Sequence, residues 1–360
     1  MKFMPGLDLC ERFYRDAVSP ILERHFPGLV HSAGRLGRGS DVLGFDTPTS
    51  MDHHWGPRVT LFLKGDDFDR YGESIPEVMS RELPYEVCGI PTNFCHQEAR
   101  FGQLKAIESG PVSHGVSVTT TKAFFEGYIG INALDGLSAL DWLLIPHQLL
   151  RTIASGRVFH DGLGELGPAR EVLAWYPHDV WLYLLACQWR RIDQEEPFMA
   201  RCDDVGDELG SRLVASRMIN ELMRLCFLME RQYAPYYKWF GTAFSRLECA
   251  SILTPIFQSI FDSRNWRERE QHLSTAYIQV AKMHNALSLT PHIEPELSNF
   301  HSRPYMVLHS ERFVDALHGQ IESEEVRLLP KHIGAVWQFA DSTDVLDRLN
   351  RCRQLRVLYR

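Results

Sequence analysis

The sequence predicts an α+β protein: a small mixed-sheet domain over residues 1–135, followed by a mostly α-helical bundle domain over 136–360. Three observations point there. The first third carries β-branched, apolar runs, RVTLFL at 58–63 and HGVSVTTTKAFF at 114–125, with helix-like segments around them. From Gly136 onward broad apolar stripes recur at helical spacing instead. The composition, 44% hydrophobic and 23% charged without a low-complexity tract, lets both parts bury a core.

In chain order, residues 7–25 read as an amphipathic helix. Leu9, Phe13, Val18, Ile21 and Leu22 recur at near-helical spacing, and Pro27-Gly28 stops it. The stretch HSAGRLGRGSDVLGFD holds too much glycine for a helix. A strand at 58–63, a helix at 69–83, a short strand at 85–90 and a strand at 114–125 complete the first part. Beyond it, helices are expected near 141–145, 180–191, 203–232 and 267–286, after Ser310, and at 343–353. In 203–232, the residues Leu209, Leu213, Met218, Leu222, Cys226 and Met229 are expected to form one packed face, and Pro235 to end the helix.

Charge and cysteine content narrow the function classes. The formal charge is −8, with a pI near 6.1 and no basic block, so no nucleic-acid partner is expected. A cationic or neutral small molecule suits that balance. The N-terminal residues lack the uninterrupted apolar core of a signal peptide, and no window approaches the ~20 apolar residues of a membrane span. Eight scattered cysteines without a CxxC pair read as reduced thiols in a cytoplasmic protein. Cys88, Cys95 and His96 could contribute to a zinc site but lack a second ligand pair at matching spacing.

The segment richest in chemistry is Gly39-Ser40, then eleven residues, then Asp52-His53-His54-Trp55-Gly56-Pro57-Arg58 running into the 58–63 strand. A Gly-Ser pair in a turn lets the backbone approach a phosphate, with amides and the serine hydroxyl as donors. An acid at the mouth of the next strand, with a second metal-binding residue two positions on, would aim both side chains at one sheet face. Such a pair could hold a divalent cation against a triphosphate.

Gly-Ser, a gap of this length and Asp-x-Asp resembles the signature of the DNA polymerase β-type nucleotidyltransferases. The longer stretch GSDVLGFDTPTSMDHHWGPRVTLFL resembles a family described as a domain of unknown function, DUF4037, which is nucleotidyltransferase-like. The likeness continues through ASGRVFHDGLGEL, YPHDVWLYLLACQWRRIDQEEPF, GDELGSRL and RQYAPYYKWFGTAF. The first of these is also similar to a segment that follows the catalytic core in kanamycin-type nucleotidyltransferases.

The resemblance implies that residues 1–135 form a nucleotidyltransferase domain and that the helical domain closes over the nucleotide and supplies the acceptor pocket. It implies an NTP donor such as ATP, Mg²⁺ (or Mn²⁺), and a hydroxyl on a small-molecule acceptor. Gly39 and Ser40 would then face phosphates, Asp52 would bind the metal and serve catalysis, and Lys238 would reach a phosphate.

Two departures open a second reading. His54 stands at the second acidic position, where an imidazole weakens magnesium binding or favours Mn²⁺ or Zn²⁺. The third carboxylate is not evident: the 114–125 strand offers Ser117, which leaves Glu86 as the nearest candidate base. The protein is therefore either an active nucleotidyltransferase or a degenerate one that binds a nucleotide or a partner. Each residue also has a structural alternative. Gly34, Gly37, Gly39 and Gly44 can simply build a tight loop, and Asp52 can cap a turn. Lys238 can lay its stem on neighbouring aromatics. The polar face of 188–196 lines a cleft or is solvated, and Asp161 orients a strand end or makes a turn. The string Asp-His-His also occurs in phosphoesterases, whose further aspartate motifs are missing here. Arg303 and His309 match a loose ribonuclease spacing at the level chance supplies.

Overall fold

The computed structural model describes residues 2–52, 54–95 and 102–360. The chain divides into two compact units, Met1–Leu137 with Leu149–Ala174, and Ser138–Gln148 with Trp175–Arg360. It is a mixed α/β protein, with a small mixed sheet in its N-terminal part and a helical C-terminal region. No helix among the described residues is long and apolar enough to cross a membrane.

In the first unit the strands are β1 (His31–Arg35), β2 (Arg58–Leu63), β3 (Glu86–Val87), β4 (Ile90–Pro91), β5 (Gly115–Thr119) and β6 (Arg157–Asp161). Four of them form one sheet in the order β5-β2-β1-β6, and β3 pairs with β4 in a separate hairpin. β2 and β6 both run antiparallel to β1, whereas β5 runs parallel to β2. Gly34 lies opposite Thr60, Arg35 opposite Arg157, and Arg58 opposite Gly115. The end of β1 and the starts of β2, β5 and β6 therefore meet at one end of the sheet.

Strand alternation explains the layers. Val59, Leu61 and Leu63 join a buried cluster with Phe13, Val18, Ile21 and Leu22 of the N-terminal helix. Phe62, on the opposite face, packs its ring 5.2 Å from Phe124. The N-terminal helix runs from α1 (Gly6–Phe13) through a π-helical turn, Tyr14–Val18, into Ser19–His25. Pro20 accounts for that wide turn: it has no N–H to give the Asp16 carbonyl, and its ring would collide with it.

Three expectations are corrected here. The 114–125 strand ends at Thr119, because the Thr120 hydroxyl accepts the Ala123 amide and starts helix α2 (Thr121–Ile129). The 69–83 helix is two helices, Gly65–Tyr71 and Ser74–Glu82. Strand β6, expected only as a strand end at Asp161, has the polar sequence RVFHD and lies beyond residue 135. Asp161 finishes it by accepting the Ser32 hydroxyl at 2.7 Å and the Gly167 amide at 3.0 Å, at the first turn of α3 (Leu166–Val172).

The second unit is built on α4 (His178–Glu195), α5 (Glu208–Met229), α6 (Tyr237–Phe244), α7 (Trp266–Ala286) and α8 (Glu311–Gln320), with shorter helices between and after them. Trp181, Trp189, Phe227, Tyr277 and Phe313 are almost completely buried. Trp189 stacks on Phe313 with centroids 4.4 Å apart.

The packed face of α5 differs from the expected one. Leu209 and Leu213 are 70% and 62% exposed, while Ser211, Ala215, Met218 and Leu222 are buried. Leu209 and Leu213 precede Ser211 and Ala215 by two residues, which is ~200° around a helix, so the expected stripe mixed two faces. Nor does Pro235 end α5. Arg231 takes a left-handed conformation, and the Gln232 amide returns to the Phe227 carbonyl to close the last turn.

Two carboxylates that each receive a pair of backbone amides carry opposite shifts. Glu196 is 5% exposed and accepts the His309 and Ser310 amides ahead of α8. Burial pushes its carboxyl up to about 7, against those hydrogen bonds. Asp161 is also penalised by burial, but the Ser32 hydroxyl and the Gly167 and Leu166 amides outweigh it and hold the carboxyl below its ordinary value.

Candidate functional site

The first candidate is the sheet end where β1 finishes and β2 begins. Beyond Arg35 the chain turns twice. The Leu43 and Gly44 amides bond to the Gly39 and Asp41 carbonyls, and the Phe45 amide bonds to the Ser40 carbonyl. Asp41, within that turn, is 3% exposed and faces Arg35 in a two-armed ion pair of 2.7 and 3.0 Å. Burial alone would pull the Arg35 guanidinium down, and the Asp41 charge, the Cys10 thiol, the Asp41 hydrogen bond and Tyr128 together more than offset it. Arg35 also donates to the Leu36 and Arg38 carbonyls, so it staples the loop to β1.

Gly39 is required by this arrangement. Its φ is +149°, and a Cβ there would lie 2.0 Å from Asp41 Oδ1 and 2.4 Å from Arg35 Nη2. Gly6 at the start of α1 is held as closely, since a Cβ would stand 2.5 Å from Asp41 Cβ. Ser40 is half-buried, and its hydroxyl makes no hydrogen bond among the described residues.

Asp52 closes a 3₁₀ turn, Pro48–Asp52, and is exposed. His54, also exposed, takes a left-handed conformation with φ 55°, and its amide bonds to the Gly102 carbonyl. β2 starts at Arg58, so neither residue belongs to a strand, and the two-residue alternation expected to align them does not operate. His53, between them, lies outside the described residues. Glu86 is exposed on β3, in the hairpin separate from the four-stranded sheet. On β5, beside β2, Ser117 lies opposite Thr60 and the two hydroxyls are 3.1 Å apart.

Arg58 is a residue sequence reasoning passed over, although it ends the quoted WGPR string. It opens β2 at this sheet end, and its guanidinium lies 4.4 Å from the Phe94 ring centroid, in no ion pair among the described residues. Burial and then the neighbouring Arg35 charge pull it down. No group of three or more His, Cys, Asp or Glu that could hold a metal is found among the described residues. Of the zinc trio, Cys88 is exposed, Cys95 half-buried, and His96 outside the described residues.

The second candidate belongs to the helical unit. A cavity of about 240 Å³ is lined by His147, Arg224, Tyr236, Lys238, Trp337 and Asp341, among others. His147 is 3% exposed and stacks on Trp337, with centroids 3.6 Å apart and planes at 19°. Its Nδ1 accepts the Ala234 amide, so the neutral ring carries its proton on Nε2. Arg224, on α5, donates to the Trp337 carbonyl at 2.7 Å and to the Tyr237 hydroxyl at 3.1 Å. Lys238, on α6, is exposed with Nζ 5.1 Å from the Trp239 ring centroid. Among the described residues neither cation enters an ion pair.

Beside this cavity, sharing Arg224, Tyr237 and Asp341 with it, is a polar cleft of about 460 Å³. Two of its three arginines are paired: Arg191 with Glu221 at 2.8 Å, and Arg217 with Glu195 at 2.9 Å, while Arg224 is the third. Glu221 also accepts Gln188 at 2.6 Å, so part of the polar face at 188–196 meets a buried network. The loosely matched Arg303 and His309 bond to different partners, Arg303 to Asp204 and His309 to the Ser298 hydroxyl.

Residues 142–240 match a family described as a domain of unknown function, DUF4037. The match covers well under half of the chain. It takes in His147, Arg224 and Lys238, and it leaves out Gly39, Ser40, Asp52 and His54. No curated protein and no solved structure matches the chain.

Proposed function

We propose that the protein is a metal-dependent nucleotidyltransferase that moves a nucleoside monophosphate from an NTP, such as ATP, to a hydroxyl of a small-molecule acceptor, with the donor bound at the sheet end of the first unit. What supports this reading most is the β1–β2 register. It brings the Gly39-Ser40 turn and the segment holding Asp52 to the same end of a mixed sheet, beside Arg58, which enters no ion pair among the described residues. Ser40 Oγ and the loop amides would donate to phosphate oxygens, and Arg58 would add a positive charge. The exposed Asp52 carboxylate, with His54, would hold Mg²⁺ or Mn²⁺, which supplies neutralisation of the phosphate charge when bound. The acceptor oxygen bonds to the α-phosphorus as the α–β anhydride breaks. Pyrophosphate leaves, and the hydroxyl proton passes to a base, for which Glu86 is the candidate.

A second reading, a nucleotide- or partner-binding module without turnover, has its own support. Ser117 occupies the strand beside β2 where a third carboxylate would serve, and Glu86 sits on a separate hairpin. The test is thermal unfolding of the full chain against ATP, CTP, GTP and UTP with Mg²⁺ or Mn²⁺, followed by a pyrophosphate-release assay across hydroxyl acceptors. Ligand at ~100 times its dissociation constant adds ~2.7 kcal/mol. A shift that needs both nucleotide and metal, is lost in Asp52→Ala and comes with pyrophosphate release supports transfer. The same shift without release supports nucleotide binding without turnover, and no shift with any pair removes the transferase reading and leaves a partner-binding module.

A further inference from the structure

We infer that the cavity of the helical unit is a binding site for a small ring-bearing anion, a carboxylate or phosphate attached to a single aromatic or heterocyclic ring. The inference concerns the second unit alone and holds whether or not the first unit transfers nucleotides.

The charge inventory carries the argument. Arg224 and Lys238 both line the cavity, and among the described residues neither has a carboxylate within ion-pair distance. Arg224 is not idle. The Trp337 carbonyl and the Tyr237 hydroxyl fix its guanidinium through one nitrogen each, which orients it without neutralising it. The contrast is with its neighbours in the adjoining cleft, where Arg191 and Arg217 are each in an ion pair with a glutamate. Two cations outside any direct ion pair among the described residues, Arg224 sensing the Glu221 charge only at longer range, favour an anion over a concave surface.

Shape and lining supply the other half. Tyr236, Tyr237, Phe240 and Trp337 line the cavity with aromatic groups against which a ring can pack. A volume of about 240 Å³ falls below the ~300–1,000 Å³ usual for drug-sized ligands. It admits one ring with its acid group and is too small for a whole nucleoside triphosphate. An aromatic cage for an organic cation would share those walls, but the two guanidinium and ammonium groups would repel its occupant. Asp341, the one carboxylate lining the cavity, opposes an anion, so its removal is expected to strengthen binding.

The test is calorimetric titration of the full-length protein, without nucleotide or metal, using phenyl phosphate, benzoate, inorganic phosphate and phenyltrimethylammonium. Phenyl phosphate or benzoate is expected to bind, and whichever binds more tightly identifies the acid group. Inorganic phosphate should bind at least tenfold more weakly, and phenyltrimethylammonium not at all. Lys238→Gln and Arg224→Gln should each weaken the preferred probe about tenfold, and Asp341→Asn should tighten it severalfold. Lys238 is exposed, so its variant keeps the fold. The inference is overturned if neither ring acid binds, if the organic cation binds better, if inorganic phosphate binds as well, or if Lys238→Gln and Arg224→Gln leave the affinity unchanged. Because no nucleotide is present, failure here leaves the transferase reading standing, and failure of NTP binding leaves this one.

Discussion

Two arginines placed at two candidate sites have opposite fates. Arg35, at the end of β1, is locked into a buried pair with Asp41 and spends its remaining donors on the Leu36 and Arg38 carbonyls. Arg224, on α5, is held by a carbonyl and a phenol and enters no direct ion pair among the described residues, with Glu221 acting on it only at longer range. A cation near a candidate site is therefore no sign of anion binding until its counter-ion is found. The Gly-rich loop that looks like a phosphate cradle contains a salt bridge as its structural centre, and Ser40 and Arg58 beside it remain able to meet a ligand. In the helical unit a cation outside any ion pair among the described residues lines the cavity itself.

The largest effect expected from this contrast is at Asp41. Asp41→Asn keeps the side-chain shape but leaves the Arg35 charge buried without its partner, a change that costs about 3–5 kcal/mol in comparable pairs. Chemical denaturation should show that loss. A loss below 1 kcal/mol would mean that water reaches Arg35, and the two arginines would then differ far less than the geometry says.

The second test compares the two amide-capping carboxylates through pH. Glu196 is pushed from 4.5 to about 7, so its folded pKa lies above its unfolded one. Its contribution is fully present below about pH 4.5 and is lost as the pH rises through about 7, on the order of 3 kcal/mol in all. Asp161, held low, has the opposite sign: its contribution is present above the ordinary aspartate range and lost as the pH falls through its folded pKa. Urea midpoints measured from pH 4.5 to 8 on the wild type and on Glu196→Gln should differ in slope, with the decline much flatter in the variant. Parallel curves would show that Glu196 is solvated in solution.

Most of the fold could be read from residue patterns, and the failures have local causes. β2 was legible because RVTLFL is apolar and β-branched on both faces, and the N-terminal helix because its apolar spacing survives the π turn. β6 was not, since RVFHD owes its place to pairing with β1, 122 residues back at Arg35↔Arg157. The α5 stripe misled because six apolar residues over 21 positions fit a loose helical period while lying on two faces. For the sites, Gly39 and Ser40 were visible as a pair, but Asp41 between Ser40 and Val42 carried no signal that it would be buried. Lys238 stood out among aromatics, whereas Arg224 and Trp337 are 113 residues apart and only the fold joins them.

Gly39→Ala gives an intermediate effect and separates two causes. A Cβ at φ +149° is strained in any surroundings, and here it would also press on Asp41 and Arg35. Strain of this kind costs about 1–3 kcal/mol. Because the crowding involves the ion pair, the change should be non-additive with Asp41→Asn, each substitution costing less in the presence of the other. Strict additivity in denaturation midpoints would assign the whole cost to the backbone and release Gly39 from the Arg35–Asp41 contact.

The smallest stability effect is expected where the consequence for binding is largest. Arg224→Gln removes two hydrogen bonds from a half-buried guanidinium and leaves Glu221 paired with Arg191, so it should cost about 1 kcal/mol. That is a fraction of the Asp41→Asn loss, although both substitutions remove one charge beside a candidate site. A charge that contributes little to folding and sits over a cavity is available for a ligand. If Arg224→Gln instead destabilises the protein as much as Asp41→Asn, then Arg224 is a structural strut like Arg35, and the asymmetry between the two sites disappears.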